Sequence, residues 1–410
     1  MASDVDSESK LIYGKLAAWL AVHALGDTGL DESGRPLNNI GALPFPDLFA
    51  GYCIRMAEWI CPLWRCTLGL EVLNPELSGS QLIWRDGALT RTEIDRAGVM
   101  SRADYLKSPI YVVDTTNRPF RWRKPDPLPD MEIIQRFQEF GLTDYFAMPL
   151  PFQDATRTCV MTFASTDEGG FFDLEVERLQ MAARIWSSVA ERWLLRHIAL
   201  DLLTHYLGRV PSERVYAGQI ERGDVARIEA AILICDLRGF TTMTDRAQHG
   251  EIVTLLNRWF EAIGAAIGAH RGDILKFMGD GLLAVFPLEE SRATTCDRAL
   301  DAALAALAGT DTLNADLAKE GRSALAFGIG LHWGEVEFGN IGTRDRLDFT
   351  VIGPAVNLAS RLQELTKIVG TPILASADFA AATNRTLHGL GGRRVRGLGG
   401  GVEVFAALPV

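Results

Sequence analysis

One apolar stripe constrains this chain more than any other feature. Leu179, Ala182, Trp186, Val189 and Trp193 recur at spacings of three and four; Arg196 interrupts, and Leu200, Leu203 and Leu207 resume the register. Such spacing lines up one face of a long helix, an a/d seam of about four heptads. The seam needs a partner. A helix packed on its own domain is one solution, and a parallel two-helix dimer is the other. A seam that runs onward into a second domain favours the dimer, with Arg196 lowering stability while helping to set register. Asp173 stands where it can cap the helix start.

A chain of 410 residues exceeds one usual core, so two or three domains are expected. With 48% apolar and 23% charged residues the composition is that of a globular protein. No window holds the ~20 uninterrupted apolar residues of a membrane helix. The richest early stretch, Leu16 to Leu25, is short, amphipathic and preceded by Asp4, Asp6 and Glu8. Neither a membrane span nor a signal peptide is expected, and the location implied is cytoplasmic. A net charge of −11 disfavours nucleic-acid binding, which depends on Lys and Arg at phosphates. It does not disfavour a nucleotide held through metal ions. The six cysteines form no C-x-x-C pair, so buried, reduced thiols are expected. A metal or haem ligand set from Cys53, Cys61 and Cys66 is the alternative, at a spacing that fits no zinc pattern.

In the first half, helical periodicity covers 11–25 and 45–60, separated by a Gly/Asp/Asn/Pro-rich loop, Gly26 to Leu43. Strand-like runs follow at Trp64–Leu73, Ile110–Asp114, Tyr145–Phe152 and Thr158–Ala164, with a helical stretch at Pro129–Phe140. The order Tyr145-Phe-Ala-Met-Pro-Leu-Pro-Phe, Cys159-Val-Met-Thr-Phe-Ala, Gly-Gly-Phe-Phe-Asp and a long helix resembles the end of a GAF-type sensor domain. A PAS-like or unnamed α+β sensor is the alternative. The organisation expected is a sensor over 1–171, a signalling helix over 172–207, a linker over 208–228 and an α/β domain over 229–410. In that last part, 257–269 and 298–317 read as helices, and 230–235, 274–286, 324–333 and 349–352 as strands.

Chemistry concentrates in the second half. Asp236 ends an apolar strand and precedes Leu237-Arg-Gly-Phe-Thr-Thr. A carboxylate beside a glycine turn can hold a metal while turn amides face phosphate oxygens. Lys276-Phe-Met-Gly-Asp280-Gly281 reads as a tight hairpin projecting Asp280. On adjacent strands, Asp236 and Asp280 could bridge two Mg²⁺ about 4 Å apart. In Phe349-Thr350-Val-Ile-Gly-Pro-Ala-Val-Asn357-Leu-Ala-Ser-Arg361, a strand ends and a helix begins, with Asn357 and Arg361 on one helical face.

From about Ala230 to Ala407 the chain resembles the class III adenylyl/guanylyl cyclases, in the Thr-containing subclass. The resemblance rests on four ordered fragments: Asp-x-x-Gly-Phe-Thr, Lys-x-x-Gly-Asp-Gly, His-x-Gly-Glu-Val-x-x-Gly-Asn-Ile-Gly and Thr-Val-Ile-Gly-x-x-Val-Asn-x-Ala-x-Arg. It implies a ferredoxin-like, palm-type catalytic domain of mixed α+β and α/β character, reached from the GAF-like sensor through a coiled-coil helix. It implies conversion of ATP to cyclic AMP and diphosphate on two divalent ions, Mg²⁺ or Mn²⁺. Asp236 and Asp280 would hold the metals with the Leu237 carbonyl. The backbone at Phe240 and Thr241 would meet phosphates, Lys276 and Thr350 would read the base, Asn357 would orient the ribose, and Arg361 would stabilise the transition state. In such enzymes these last four side chains come from the partner of the protomer that holds the metals, so a homodimer is implied.

Given those roles, Lys276 donates to adenine N1 and Thr350 accepts from N6, whereas guanine would meet Lys276 donor to donor. Guanylate cyclase activity and a catalytically silent sensing module are the alternatives. The absence of a Gly-Gly-[Asp/Glu]-Glu-Phe signature argues against a diguanylate synthase. Thr350 in place of the commoner Asp implies a possible bicarbonate response; the sensor's own input, a small molecule or a protein, is unspecified. Glu335 stands where some relatives carry a phosphate-binding Arg, so diphosphate contacts are expected elsewhere, with Arg238 and Arg344 as candidates. Pro354 is expected to affect only the helix start. His332, Trp333 and Glu335 read as structural.

Overall fold

The computed structural model describes residues 2–25, 43–97, 102–153, 159–240, 243, 250–394 and 401–407. Most of the Gly26–Leu43 loop therefore lies outside the described residues. The chain divides into two compact units, Met1–Leu202 and Leu203–Val410.

The first unit contains α1 (Ala2–Leu25), α2 (Phe45–Trp59), β1 (Arg65–Glu71), β2 (Leu77–Arg85), β3 (Ala88–Asp95), α3 (Ala103–Leu106), α4 (Pro109–Thr116), β4 (Phe120–Arg123), α5 (Glu132–Phe137), β5 (Asp144–Pro149) and β6 (Cys159–Ser165). It also holds most of α6 (Asp173–Leu207). Its six strands form an antiparallel sheet in the order β3-β2-β1-β6-β5-β4. Period-two alternation loads both faces. Phe146, Met161 and Phe163 pack with α1, α2 and α6 on one face. Tyr145, Ala147 and Val160 pack with α4 and α5 on the other.

Three expectations are corrected here. The Ile110–Asp114 run is helical, not a strand. Ser108 caps α4 by accepting from the Tyr111 amide, and Pro109 occupies the first turn, so the start signal overrides the β-branched residues behind it. Asp173 does not cap α6. Its carboxylate accepts from Arg121 Nη1 at 3.1 Å, while Glu175 accepts from the Phe172 amide at 2.8 Å. The first half of the apolar stripe is not available as a dimer seam, because Leu179, Ala182 and Trp186 are fully buried within their own unit. Trp186 packs against Phe45, Phe49 and Tyr52, and Trp193 stacks on Phe45 with centroids 4.1 Å apart.

All six cysteines are buried and unpaired. Among the described residues no group of three His, Cys, Asp or Glu side chains is placed to hold a metal, so Cys53, Cys61 and Cys66 do not form a ligand set. No described helix is long and apolar enough to cross a membrane.

The second unit contains α7 (Arg209–Tyr216), β7 (Val225–Leu237), α8 (Glu251–Ala269), β8 (Asp273–Met278), β9 (Gly281–Pro287), α9 (Arg292–Lys319), β10 (Phe327–Gly342), β11 (Leu347–Ile352), α10 (Pro354–Val369), β12 (Ile373–Ser376), α11 (Ala377–Ala382), β13 (His388–Arg394) and β14 (Gly401–Ala406). The expected linker over 208–228 thus holds α7 and the first four residues of β7. The sheet runs β13-β14-β12-β10-β7-β9-β8, with β11 on the far part of β10 and only β10–β12 parallel. One face carries α8 and α9, with Trp259 fully buried beneath them. The other face carries α10 against β10. That helix lies close because β10 offers glycine where it crosses. A Cβ on Gly328 would stand 2.0 Å from Thr366 Oγ1, and one on Gly330 would stand 2.1 Å from the Ala359 carbonyl.

Candidate active site

The central strand β7 pairs with β9 so that Asp236 faces Gly281, the residue after Asp280. The β8–β9 turn bends at Gly279, whose φ of +67° lies in the left-handed region that favours glycine. Gly281 is needed for a different reason. A Cβ there would lie 2.7 Å from the Cys235 carbonyl and 2.9 Å from Asp236 Oδ1. The Leu237 amide donates to the Asp280 carbonyl at 3.2 Å, locking the turn onto the end of β7. Two acidic residues far apart in sequence are thereby brought together.

Their electrostatics are set by burial and by mutual repulsion. Partial burial pushes the Asp236 carboxyl above its ordinary value, and the nearby Asp280 charge pushes it the same way. One cation opposes them. Lys367 Nζ lies 3.7 Å from Asp236 Oδ2. Two adjoining carboxylates are hard oxygen donors of the kind divalent ions take, although among the described residues no third His, Cys, Asp or Glu side chain joins them.

Behind this turn, Phe240 is half-buried against the α8/α9 core. Thr241 lies outside the described residues. Arg238 does not point to a phosphate site. Its Nη2 donates to the Thr366 and Thr371 carbonyls at 3.1 and 3.3 Å, tying β7 to the C-terminal end of α10. Arg344 is exposed in the turn between β10 and β11.

Lys276 and Thr350 line one cavity of about 570 Å³. Asp348 shares it, on the same face of β11 as Thr350. Lys276 Nζ lies 2.6 Å from Asp348 Oδ2. That bond holds the Asp348 carboxyl below the usual carboxylate range. Sequence reasoning passed over Asp348; the signal it missed was the i, i+2 relation to Thr350.

Gly353 and Pro354 begin α10 as expected, with Pro in its first turn. Asn357 is exposed, and Arg361 pairs with Glu364 in a bifurcated contact, both oxygens 2.9 Å from Nη1. Among the described residues no hydrogen bond or ion pair links Asn357 or Arg361 to Asp236 or Asp280. His332 is buried, with Nδ1 2.7 Å from Ser376 Oγ. Trp333 is buried, and Glu335 is exposed 3.5 Å from Arg227.

Known proteins resemble the second unit. Residues 226–376 match the family described as the adenylate and guanylate cyclase catalytic domain. The second unit therefore carries a class III adenylyl/guanylyl cyclase catalytic domain. An adenylate cyclase of Anabaena cylindrica is 38% identical over 159 residues, 38% of this chain and 31% of that protein. Adenylate cyclase 1 of Rhizobium meliloti is 27% identical over 219 residues, 52% of this chain and 33% of that protein. The chain thus matches only about a third of the length of these curated relatives. The crystal structure of the guanylyl cyclase Cya2 aligns at 31% identity with a TM-score of 0.41, over 44% of this chain and 92% of that one.

Proposed function

We propose that this chain converts ATP to 3′,5′-cyclic AMP and diphosphate, at sites shared between two copies and governed by a GAF-like N-terminal unit. The observation that carries the reading is the convergence of Asp236 and Asp280 at one strand end, in a domain whose Lys276 and Thr350 line a cavity large enough for a base. The antiparallel six-stranded sheet with helices on both faces supports the sensor assignment.

The 3′-oxygen attacks the α-phosphorus, the bond to the diphosphate oxygen breaks, and the 3′-hydroxyl proton passes to solvent. Asp236 and Asp280, with the Leu237 carbonyl, would hold two divalent ions, which when bound would supply Lewis acidity toward the 3′-hydroxyl and the phosphates. Backbone amides at Phe240 and Thr241 meet phosphate oxygens. Lys276 donates to the base and Thr350 accepts from it. Asn357 holds the ribose so that nucleophile and phosphorus stay in line. Arg361 places a delocalised charge where phosphoryl charge grows.

Asp348 favours a second reading. Guanine presents N1–H beside an acceptor at O6, and an Asp348–Lys276 pair matches that polarity as well. Rates of cyclic AMP and cyclic GMP formation by the full chain, with Mg²⁺ and with Mn²⁺, decide between the two. Asp236→Ala should lower the faster rate by at least about 10². Undiminished turnover in that variant would sink the mechanism.

A further inference from the structure

We infer that Lys367 is a phosphate-tail ligand supplied by the same protomer that supplies the acidic pair. This rests on reading the site as that of a nucleotidyl cyclase.

The placement of Lys367 is built rather than incidental. It occupies the last turn of α10, just before the left-handed Gly370 that ends the helix. The preceding residue, Thr366, is fully buried against Gly328, and its carbonyl accepts from Arg238. Arg238 therefore acts as a positioning residue, fixing the segment that carries Lys367 to the strand that carries Asp236. The ammonium itself stays reachable, with the side chain 49% exposed.

Electrostatics name the ligand. Without a nucleotide, the Asp236 carboxylate and the negative end of the helix dipole stabilise the ammonium. Once divalent cations take up the carboxylate charge, Lys367 is left beside like charges and needs another anion. Diphosphate oxygens supply it, and a lysine binds them as a compact point charge. Two alternatives are poor. Arg238 is held by two carbonyls, and Glu335 brings negative charge instead of a guanidinium. Lys367 follows Arg361 by six residues, about 9 Å along the helix and about 120° around it. One helix can then address two different sites, with Asn357 and Arg361 turned to the partner's nucleotide and Lys367 to its own.

The test titrates inorganic diphosphate, with Mg²⁺ present, into the full chain by calorimetry. Lys367→Ala should weaken binding about tenfold or more, and Lys367→Arg should retain most of it. The KM for ATP should rise in Lys367→Ala more than kcat falls. If that variant fails to fold, Lys367→Gln keeps the length and removes the charge, and the same loss is expected. Wild-type diphosphate affinity in a folded charge-less variant overturns the assignment while leaving the cyclase reading intact, provided that wild type forms cyclic nucleotide. A wild-type chain that neither binds diphosphate nor cyclises ATP or GTP overturns both.

Discussion

Lys276 on β8 and Asp348 on β11 are joined by a 2.6 Å ion pair. A lysine on its four-carbon stem is loosely aimed, and the carboxylate restrains it in the cavity that Thr350 also lines. Both groups are near half-exposed, so the pair adds little stability, about 1 kcal/mol at most. Its value is orientation.

Asp348→Asn should therefore raise the KM for ATP about three- to tenfold with a smaller change in kcat, and should leave the melting temperature nearly unchanged. The pH dependence follows from the lowered Asp348 carboxyl. A depressed group contributes above its unfolded value near 3.8 and loses that contribution as pH falls through the lower folded value. The pair is thus intact throughout the neutral range, and this residue should add no inflection to the KM profile above about pH 5. An unaltered KM in Asp348→Asn would mark the pair as a passive surface contact.

Asp236 has the opposite sign. Its carboxyl is raised by burial and by Asp280, so the folded chain binds the proton more tightly than the unfolded chain. The contribution is fully present below the unfolded value near 3.8 and is lost as pH rises through the folded value. In EDTA at neutral pH, Asp236→Asn should accordingly melt a few degrees higher than wild type. Added Mg²⁺ or Mn²⁺ should raise the wild-type melting temperature and leave the variant almost unmoved. A variant that melts lower in EDTA would mean that the Lys367 contact outweighs the repulsion.

Much of the candidate site was legible because each piece is local. An apolar run ending in Asp236, glycines on both sides of Asp280, and Gly353-Pro354 ahead of Asn357 and Arg361 each describe a strand end, a turn or a helix start. Asp348 and Lys367 were not, since their roles come from contacts made only when distant segments meet. In the first unit, Asp86-Gly87 with φ of +50° and +82° marks the β2–β3 hairpin. That signal was passed over because β3 is exposed along most of its length and shows no apolar alternation. The stripe on α6 was periodic as read, but periodicity cannot say what covers it; α1 and α2 do so through Leu16, Leu20, Phe49 and Tyr52.

The closeness of α10 to β10 makes Gly330→Ala a severe change. The new methyl would meet the Ala359 carbonyl at 2.1 Å and the Gln363 amide nitrogen at 2.5 Å, both of them backbone atoms that cannot rotate away. We expect a loss of about 1–3 kcal/mol or more, read by urea unfolding. Any folded fraction should be impaired in turnover, because the helix bearing Asn357, Arg361 and Lys367 is displaced as a unit. Gly328→Ala meets the Thr366 hydroxyl, and a Gly328→Ala/Thr366→Ala pair should recover part of the loss, a relief that Gly330→Ala cannot share.

Shared sites make a quantitative prediction for mixtures. If Asp280 serves the nucleotide of its own protomer and Arg361 serves that of the partner, Asp280→Ala and Arg361→Ala homodimers are each inactive. A heterodimer of the two then has one site with both lesions and one site with neither. Random reassortment of equal amounts yields half heterodimers, each with one of two sites intact, so about a quarter of wild-type activity per chain should return, against at most about 1% for either variant alone. Mixing Asp280→Ala with Asp236→Ala should restore nothing, because both residues sit on one protomer's strand end, and each heterodimer site then lacks one carboxylate. Recovery in the first mixture and not in the second, measured as cyclic nucleotide formed per chain, is the outcome required of a site divided along this line. Silence in both, with each variant inactive alone, would place Arg361 in the same protomer's site as Asp280.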